Sequence, residues 1–221
     1  MRKYLILLLV FVFILFLGSF GLSDVKIMEI FKNIDAMSKK HTPPSYKVRV
    51  ENQKFSDALQ ELPKEILTGE GTPSVSIHFH KGEGIKIVIE NIDSEYASIF
   101  SYIEDYFKFS GISKVQNPVE FKEFIDNDKV DFYKEEKDFV IVKAWDPEND
   151  VKDDNYALFY LDKKNWVIKK AVYYLDGIPF VQADNSYKSF GNYYMPYKIV
   201  LTSVNENTSD VFLFKDYQFF K

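Results

Sequence analysis

The feature that most restricts this 221-residue chain is its second half, where seven apolar and aromatic runs follow one another with nothing between them but turn residues. The runs lie near 130–134, 138–145, 155–161, 165–175, 178–187, 193–203 and 210–219. Glu135-Glu136, the acidic stretch Asp146 to Asn155, Lys163-Lys164, Asp176-Gly177, Gly191-Asn192 and Asn205 to Ser209 separate them. A parallel crossover needs a dozen residues or more, so strands on such short turns must be antiparallel neighbours in one long meander. With 21 Phe and 15 Tyr against 2 Trp, the aromatic content suits a pleated surface.

Upstream of the meander the pattern is mixed. Ile27, Ile30, Phe31, Ile34 and Met37 recur at helical spacing within Ser23 to Lys40, with Ser23 placed to cap the helix and His41-Thr42-Pro43-Pro44 to stop it. Ser45 to Glu51 alternates Tyr46, Val48 and Val50 against polar residues, as a half-buried strand does. Phe55 to Leu67 reads as a short helix interrupted by Pro63, and Gly69, Gly71 and Pro73 make a loop. Ser74 to Phe79 and Ile85 to Ile92 form a hairpin across His80 to Gly84. Two further helical segments follow: Ser94 to Ser110, stopped by Gly111, and one opening at Asn117-Pro118. Their apolar residues Phe100, Ile103, Phe121 and Phe124 are placed to lie on the sheet as a lid.

At the extreme N-terminus, Arg2 and Lys3 precede an uncharged apolar run from Tyr4 to Leu17 that ends in Gly18 and Ser19. This is the layout of an export signal, with cleavage expected after Gly21, or after Ser23 as second choice. An uncleaved anchor is the alternative reading, because no charge appears before Asp24 and about 20 uncharged residues span a bilayer. The expected organisation is residues 1–21 as signal and 22–221 as one domain, working in the periplasm or cell envelope.

Losing Arg2 and Lys3 leaves 26 of the 28 basic residues against 33 acidic ones, so the exported part carries a net charge of -7. Such a surface repels phosphate backbones, and no nucleic-acid partner is expected. The chain has no cysteine, hence no disulfide and no lipidated-cysteine anchor.

Several strands are apolar on both faces, as in Phe139 to Val142 and in Trp166, Val167, Ile168, Ala171 and Val172. A sheet with one face in water alternates more cleanly. Either helices cover both sides or the sheet curls around a cavity, giving an α+β class with a strongly curved antiparallel sheet covered by a few helices. Taking one alternating face of each strand, the cavity-facing residues are Leu158, Tyr160, Trp166, Ile168, Val172 and Tyr174. The competing reading makes them ordinary core.

The stretch Ala157-Leu158-Phe159-Tyr160-Leu161-Asp162-Lys163-Lys164-Asn165-Trp166-Val167-Ile168-Lys169-Lys170 resembles the strand, lysine-bearing turn and strand of the periplasmic lipoprotein carriers and outer-membrane lipoprotein-sorting proteins. Asp176-Gly177, Met195-Pro196-Tyr197-Lys198-Ile199-Val200-Leu201 and Phe212 to Tyr217 continue the resemblance in order. It implies an incomplete β-barrel closed by helices, and non-enzymatic binding of a lipid, an acyl chain or a lipoprotein, with a membrane-associated partner. In that family an arginine followed by proline helps latch the lid. The corresponding hairpin here, His78 to Gly84, has no such pair, and Arg49 lies one strand too early.

Other chemistry is weakly represented. His78 and His80 share a strand face, but two ligands do not make a metal site. The Asp146 to Asp154 acids lack the glycine and terminal glutamate of a calcium loop, so a solvated hairpin tip is expected. No Gly-x-Ser-x-Gly elbow or phosphate loop is present, no cofactor is implied, and Asn207-Thr208-Ser209 is a formal glycosylation site. A binding protein rather than an enzyme is the expectation. The alternative is an envelope docking module that binds a protein through its sheet and takes no small ligand.

Overall fold

The computed structural model describes residues 22–68, 71–93, 95–96, 110–111, 129–146 and 153–221. The export segment 1–21 and the lid residues Phe100, Ile103, Phe121 and Phe124 lie outside the described residues.

Among the described residues ten strands form one antiparallel sheet in the order β3-β2-β1-β10-β9-β8-β7-β6-β5-β4. They are β1 (Ser45–Glu51), β2 (Ser74–His80), β3 (Gly84–Glu90), β4 (Lys129–Glu135), β5 (Phe139–Trp145), β6 (Tyr156–Asp162), β7 (Ile168–Leu175), β8 (Ile178–Phe190), β9 (Tyr193–Ser203) and β10 (Thr208–Phe220). All seven strands expected after Val130 are present and pair consecutively, as short turns require. The one non-consecutive pairing, β1 on β10, brings the two ends of the sheet-forming chain together. The sheet therefore has a single seam. Its two outer strands, β3 and β4, are separated in sequence by residues 91–128, so the predicted lid segment departs from one lip of the opening and returns to the other.

Bulges bend this sheet. Register shifts occur in five pairings, β1/β10, β4/β5, β6/β7, β7/β8 and β8/β9, and each extra residue sharpens the local bend and twist. At Asp216, φ is +57°, and the additional residue returns Tyr217 and Phe219 to the face already occupied by Phe212 and Phe214. The outcome is an open, bulged sheet of the incomplete-barrel kind.

One face, here called inner, is covered by helix α1 (Leu22–His41) and helix α2 (Gln53–Gln60). A 20-residue helix is about 30 Å long, and the five strand spacings from β4 to β9 cover about 24 Å. α1 makes that crossing: Lys26 pairs with Glu135 of β4 at 3.1 Å, and His41 donates from Nδ1 to the Asn192 carbonyl beside β9 at 3.4 Å. Ile27, Ile30 and Ile34 of its expected apolar face are buried in the main core. Ser23 is not the cap: it lies within the helix, which already includes Leu22. α2 begins earlier than expected, because Asn52 caps it by accepting from the Phe55 amide at 3.2 Å while its own amide donates to the Val211 carbonyl at 3.0 Å. Among the described residues, no helix is long and apolar enough to cross a membrane.

Candidate ligand-binding cleft

The inner face is unevenly filled. Beneath the C-terminal end of α1, Tyr187 stacks on Tyr194 with ring centroids 5.6 Å apart, and its hydroxyl donates to the Ile168 carbonyl at 3.1 Å. Desolvation pushes the Tyr187 phenol far above the ordinary tyrosine range. The space left among Met37, Ser38, His41, Trp166 and Tyr187 is about 10 Å³, no larger than one water needs.

A second filled region lies where the predicted lid segment touches the sheet. The Asn185 side-chain amide donates to the Ser110 carbonyl at 2.8 Å and to the Ile168 carbonyl at 2.9 Å. Gly111, at φ +66°, lies so close to Ile168 and Phe159 that a Cβ there would stand 2.9 Å from Ile168 Cδ1. Its own side of the sheet is therefore packed core.

At the other end the covering is thinner. α2 lies against β2 and reaches β10 through Phe55, whose ring lies 5.5 Å from that of Phe212. The chain then runs through the 3-10 turn Lys64–Ile66 and is tied to the exit of β3 by a Leu67–Ile92 bridge, with Thr68 donating to the Asn91 carbonyl and Asp93 to the Ile66 carbonyl. Between this strap, α2 and the inner face of β1 and β2 remains a cleft of about 430 Å³. Val50, Phe55, Leu59, Leu62, Leu67 and Val75 line it, and Arg49, Glu51 and Lys64 stand at its mouth. Arg49 is held by Asp216 at 2.7 Å and by Glu51 at 3.2 Å, which leaves the mouth polar and near charge balance while the interior is apolar. The volume falls in the range of small-ligand sites. A shape of this kind can take a hydrocarbon chain or ring and leave its polar end in solvent.

The six residues expected to face a cavity do not converge. Leu158 and Val172 pair across β6 and β7 on the outer face, together with Tyr160 and with Tyr174, which stacks on Tyr156 at 4.4 Å. Leu158 and Val172 are buried, yet they lie outside the main core. Ile168 belongs to the inner face, because the register shift after Tyr160 loops out Lys169 and reverses the side-chain parity of β7. Trp166 is not in a strand at all. It sits at φ +51° in the turn before β7, half-buried, where Asp162 Oδ1 accepts from the Lys164 and Asn165 amides at 2.7 and 2.9 Å. The cleft that does exist is lined instead by Val50 and Val75 of β1 and β2 and by residues from the stretch 54–73, a stretch with too few apolar positions for a periodic signal. The alternation of Val48 and Val50 and the Phe55, Leu59, Leu62 spacing were the available hints.

Among the described residues no group of three or more His, Asp and Glu side chains is arranged to hold a metal. His78 pairs with Ser76 and Glu90.

The fold is shared with a domain designated outer membrane lipoprotein-sorting protein from Vibrio parahaemolyticus, at a TM-score of 0.50 and 13% identity over 86% of this chain and 91% of that one. Similarity also extends to a LolA superfamily protein from Nitrosomonas europaea (TM-score 0.47, 9% identity, 86% of this chain and 93% of that one). A DUF1329 family protein from Desulfovibrio piger is similar too (TM-score 0.46, 10% identity, 87% and 92%). No family profile and no curated protein matches the sequence.

Proposed function

We propose that this is an exported, non-enzymatic binding protein of the cell envelope that takes the apolar part of a lipid or acylated ligand into the cleft between α2 and β1–β2. The observation that carries the reading is that cleft: about 430 Å³, apolar within and polar at the mouth, on the inner face of an incomplete barrel. Support comes from the fold it shares with a lipoprotein-sorting domain, and from the basic start and apolar run of residues 1–21.

The energetics are adequate and bounded. Burying hydrocarbon is worth about 0.8 kcal/mol per methylene, so some ten methylenes yield roughly 8 kcal/mol before the cost of association. That sets a ceiling near micromolar affinity for a single chain, suited to a carrier or sensor that must release its ligand.

The test is titration with a fluorescent long-chain acyl probe, alongside native mass spectrometry of protein prepared without detergent. Wild type should bind the probe and retain amphiphile. Leu62→Glu, at a half-buried position on the cleft wall, should weaken probe binding at least about tenfold while leaving the far-ultraviolet circular dichroism unchanged. Equal binding by the variant, or none by wild type, overturns the proposal. The docking-module reading draws on exposed Tyr133, Leu175 and Ile178, and it predicts no probe binding at all.

A further inference from the structure

On the opposite, outer face of β1, β2 and β3 lies a second cleft of about 460 Å³, lined among others by Ser45, Lys47, His78, His80, Lys86 and Phe220. It occupies the other end of these strands: Ser45 and Val50, one at each cleft, are five residues apart, roughly 17 Å of extended chain. We infer that this outer cleft is a recognition site for an anionic group, a phosphate or carboxylate borne on an apolar or ring-containing body.

Register is the first argument. Lys47 pairs with His78, and His78 with Lys86, so two lysines flank a histidine directly across three strands on one face. His80 follows on the next rung of the same face, opposite Ser45 and Gly84. A basic cluster of this kind stands out on a chain that is acidic overall, with a net charge of -5. Along β1, α2 and β10 the neighbouring cations have acids: Arg49 has Asp216 and Glu51, Lys215 has Glu51, and Lys54 has Asp210. Among the described residues Lys86 and His80 have no such partner.

The second argument is that the nearby acid is already committed. Glu90 accepts from Lys47 at 2.5 Å and from Ser76 at 2.9 Å, with His78 Nε2 at 3.5 Å, and it covers the buried Ser76 hydroxyl. Burial pushes the Glu90 carboxyl up, but the Lys47 and Ser76 hydrogen bonds overcome it and hold the group below the ordinary carboxylate range. Glu90 thus fixes Lys47 and His78 in place, and Lys86 and His80 remain as donors to an incoming anion. Glu83, exposed at the hairpin tip, is the one acid among the described residues that lines the cleft.

The third argument is Phe220, 49% exposed on the same face at the cleft wall. Its ring offers a stacking surface for the body that carries the anion.

The probe is phenyl phosphate, with inorganic phosphate and vesicles of phosphatidylcholine with and without phosphatidylglycerol as further arms. Amide resonances of β2 and β3 should shift on adding phenyl phosphate, more weakly on adding inorganic phosphate, and Lys86→Glu should weaken binding at least about tenfold. Flotation with the anionic vesicles alone, competed by phosphate, would assign the anion to a lipid headgroup. Phenyl phosphate binding without flotation would assign it to a soluble ligand, and both outcomes support the site. Binding that Lys86→Glu leaves unchanged, or no binding of any probe, overturns it. Because Leu62→Glu sits in the other cleft, it should leave phenyl phosphate binding intact.

Discussion

Replacing Gly111 with alanine tests whether the inner face is solid where the predicted lid segment meets it. At φ +66° a β-carbon costs about 1–2 kcal/mol of left-handed strain. Loss of glycine freedom in the unfolded chain returns about 0.4–1 kcal/mol. Contact adds the larger share: the new methyl would stand 2.9 Å from Ile168 Cδ1 and 3.1 Å from Phe159 Cε1, and both neighbours are buried in the main core with little room to retreat. Overpacking of this sort costs about 1–3 kcal/mol, so the sum is about 2–4 kcal/mol. Gly191→Ala is the internal control, because φ there is +61° and nothing stands within 4 Å of the added carbon; it should lose only about 1 kcal/mol or less. With a urea slope of about 2 kcal/mol/M, the midpoints should fall by about 1–2 M for Gly111→Ala and about 0.5 M or less for Gly191→Ala. Equal midpoint shifts at unchanged slope would refute the claim that Gly111 is seated against a packed surface.

Asn185→Ala should cost about 1–3 kcal/mol in urea unfolding, since it takes the donor from the Ser110 carbonyl and leaves the Ile168 carbonyl with the Tyr187 hydroxyl alone of its two side-chain donors, although Asn185 Oδ1 itself has no partner among the described residues; a stabilised variant would refute the account. Tyr187 and Tyr217 both bury their phenols and donate them to carbonyls, and burial raises both above the ordinary range. Their contribution is therefore complete below about pH 10, where the unfolded chain's tyrosines are still protonated. It declines above that pH by about 1.4 kcal/mol per unit for each phenol, so Tyr187→Phe should flatten the alkaline limb of a stability-against-pH curve. Arg49→Ala should change stability by less than about 1 kcal/mol, and less still in 1 M salt, because the Arg49–Asp216 pair is exposed; a larger loss would show that the pair fixes the bulge at Asp216.

How much was legible follows from what a period-2 pattern can carry. All the expected strands formed, because each run was bounded by residues that favour turns, such as Asp176-Gly177 at φ +52° and +71° and Gly191 at +61°. Bulges were not legible. Nothing in the run from Trp166 to Val172 announces that Lys169 is the extra residue, and without it Ile168 is assigned to the wrong face of β7. Trp166 in a left-handed turn runs against the usual preference of bulky side chains; its amide donates to the Asp162 carbonyl at 2.7 Å, and the Asp162 carboxylate fixes the two residues before it. The cleft was hidden for a different reason: it is made by a short helix, a single 3-10 turn and a bridge, each below the length at which periodicity accumulates.

Strands apolar on both faces suggested either helices on both sides or an enclosed hollow, and the sheet meets the requirement in a third way over β4 to β7. Ile141, fully buried, with Leu158 and Val172, forms a small apolar layer on the outer face, and around it Tyr174 stacks on Tyr156 and Phe139 meets Tyr160 edge-on, while lysines lie over the Tyr156 and Tyr160 rings. Lys143 lies 3.9 Å over the Tyr156 ring with its amine on Asp153, and Lys170 lies 5.4 Å over Tyr160. Long amphipathic side chains can roof a sheet in this fashion, keeping apolar stems inward and polar ends in water. Two-sided hydrophobicity in these strands is thereby satisfied without a ligand. The argument for binding then rests on the region where such a roof is missing, the α2 end of the inner face, and a ligand site should be sought at β1 and β2 rather than at β6 and β7.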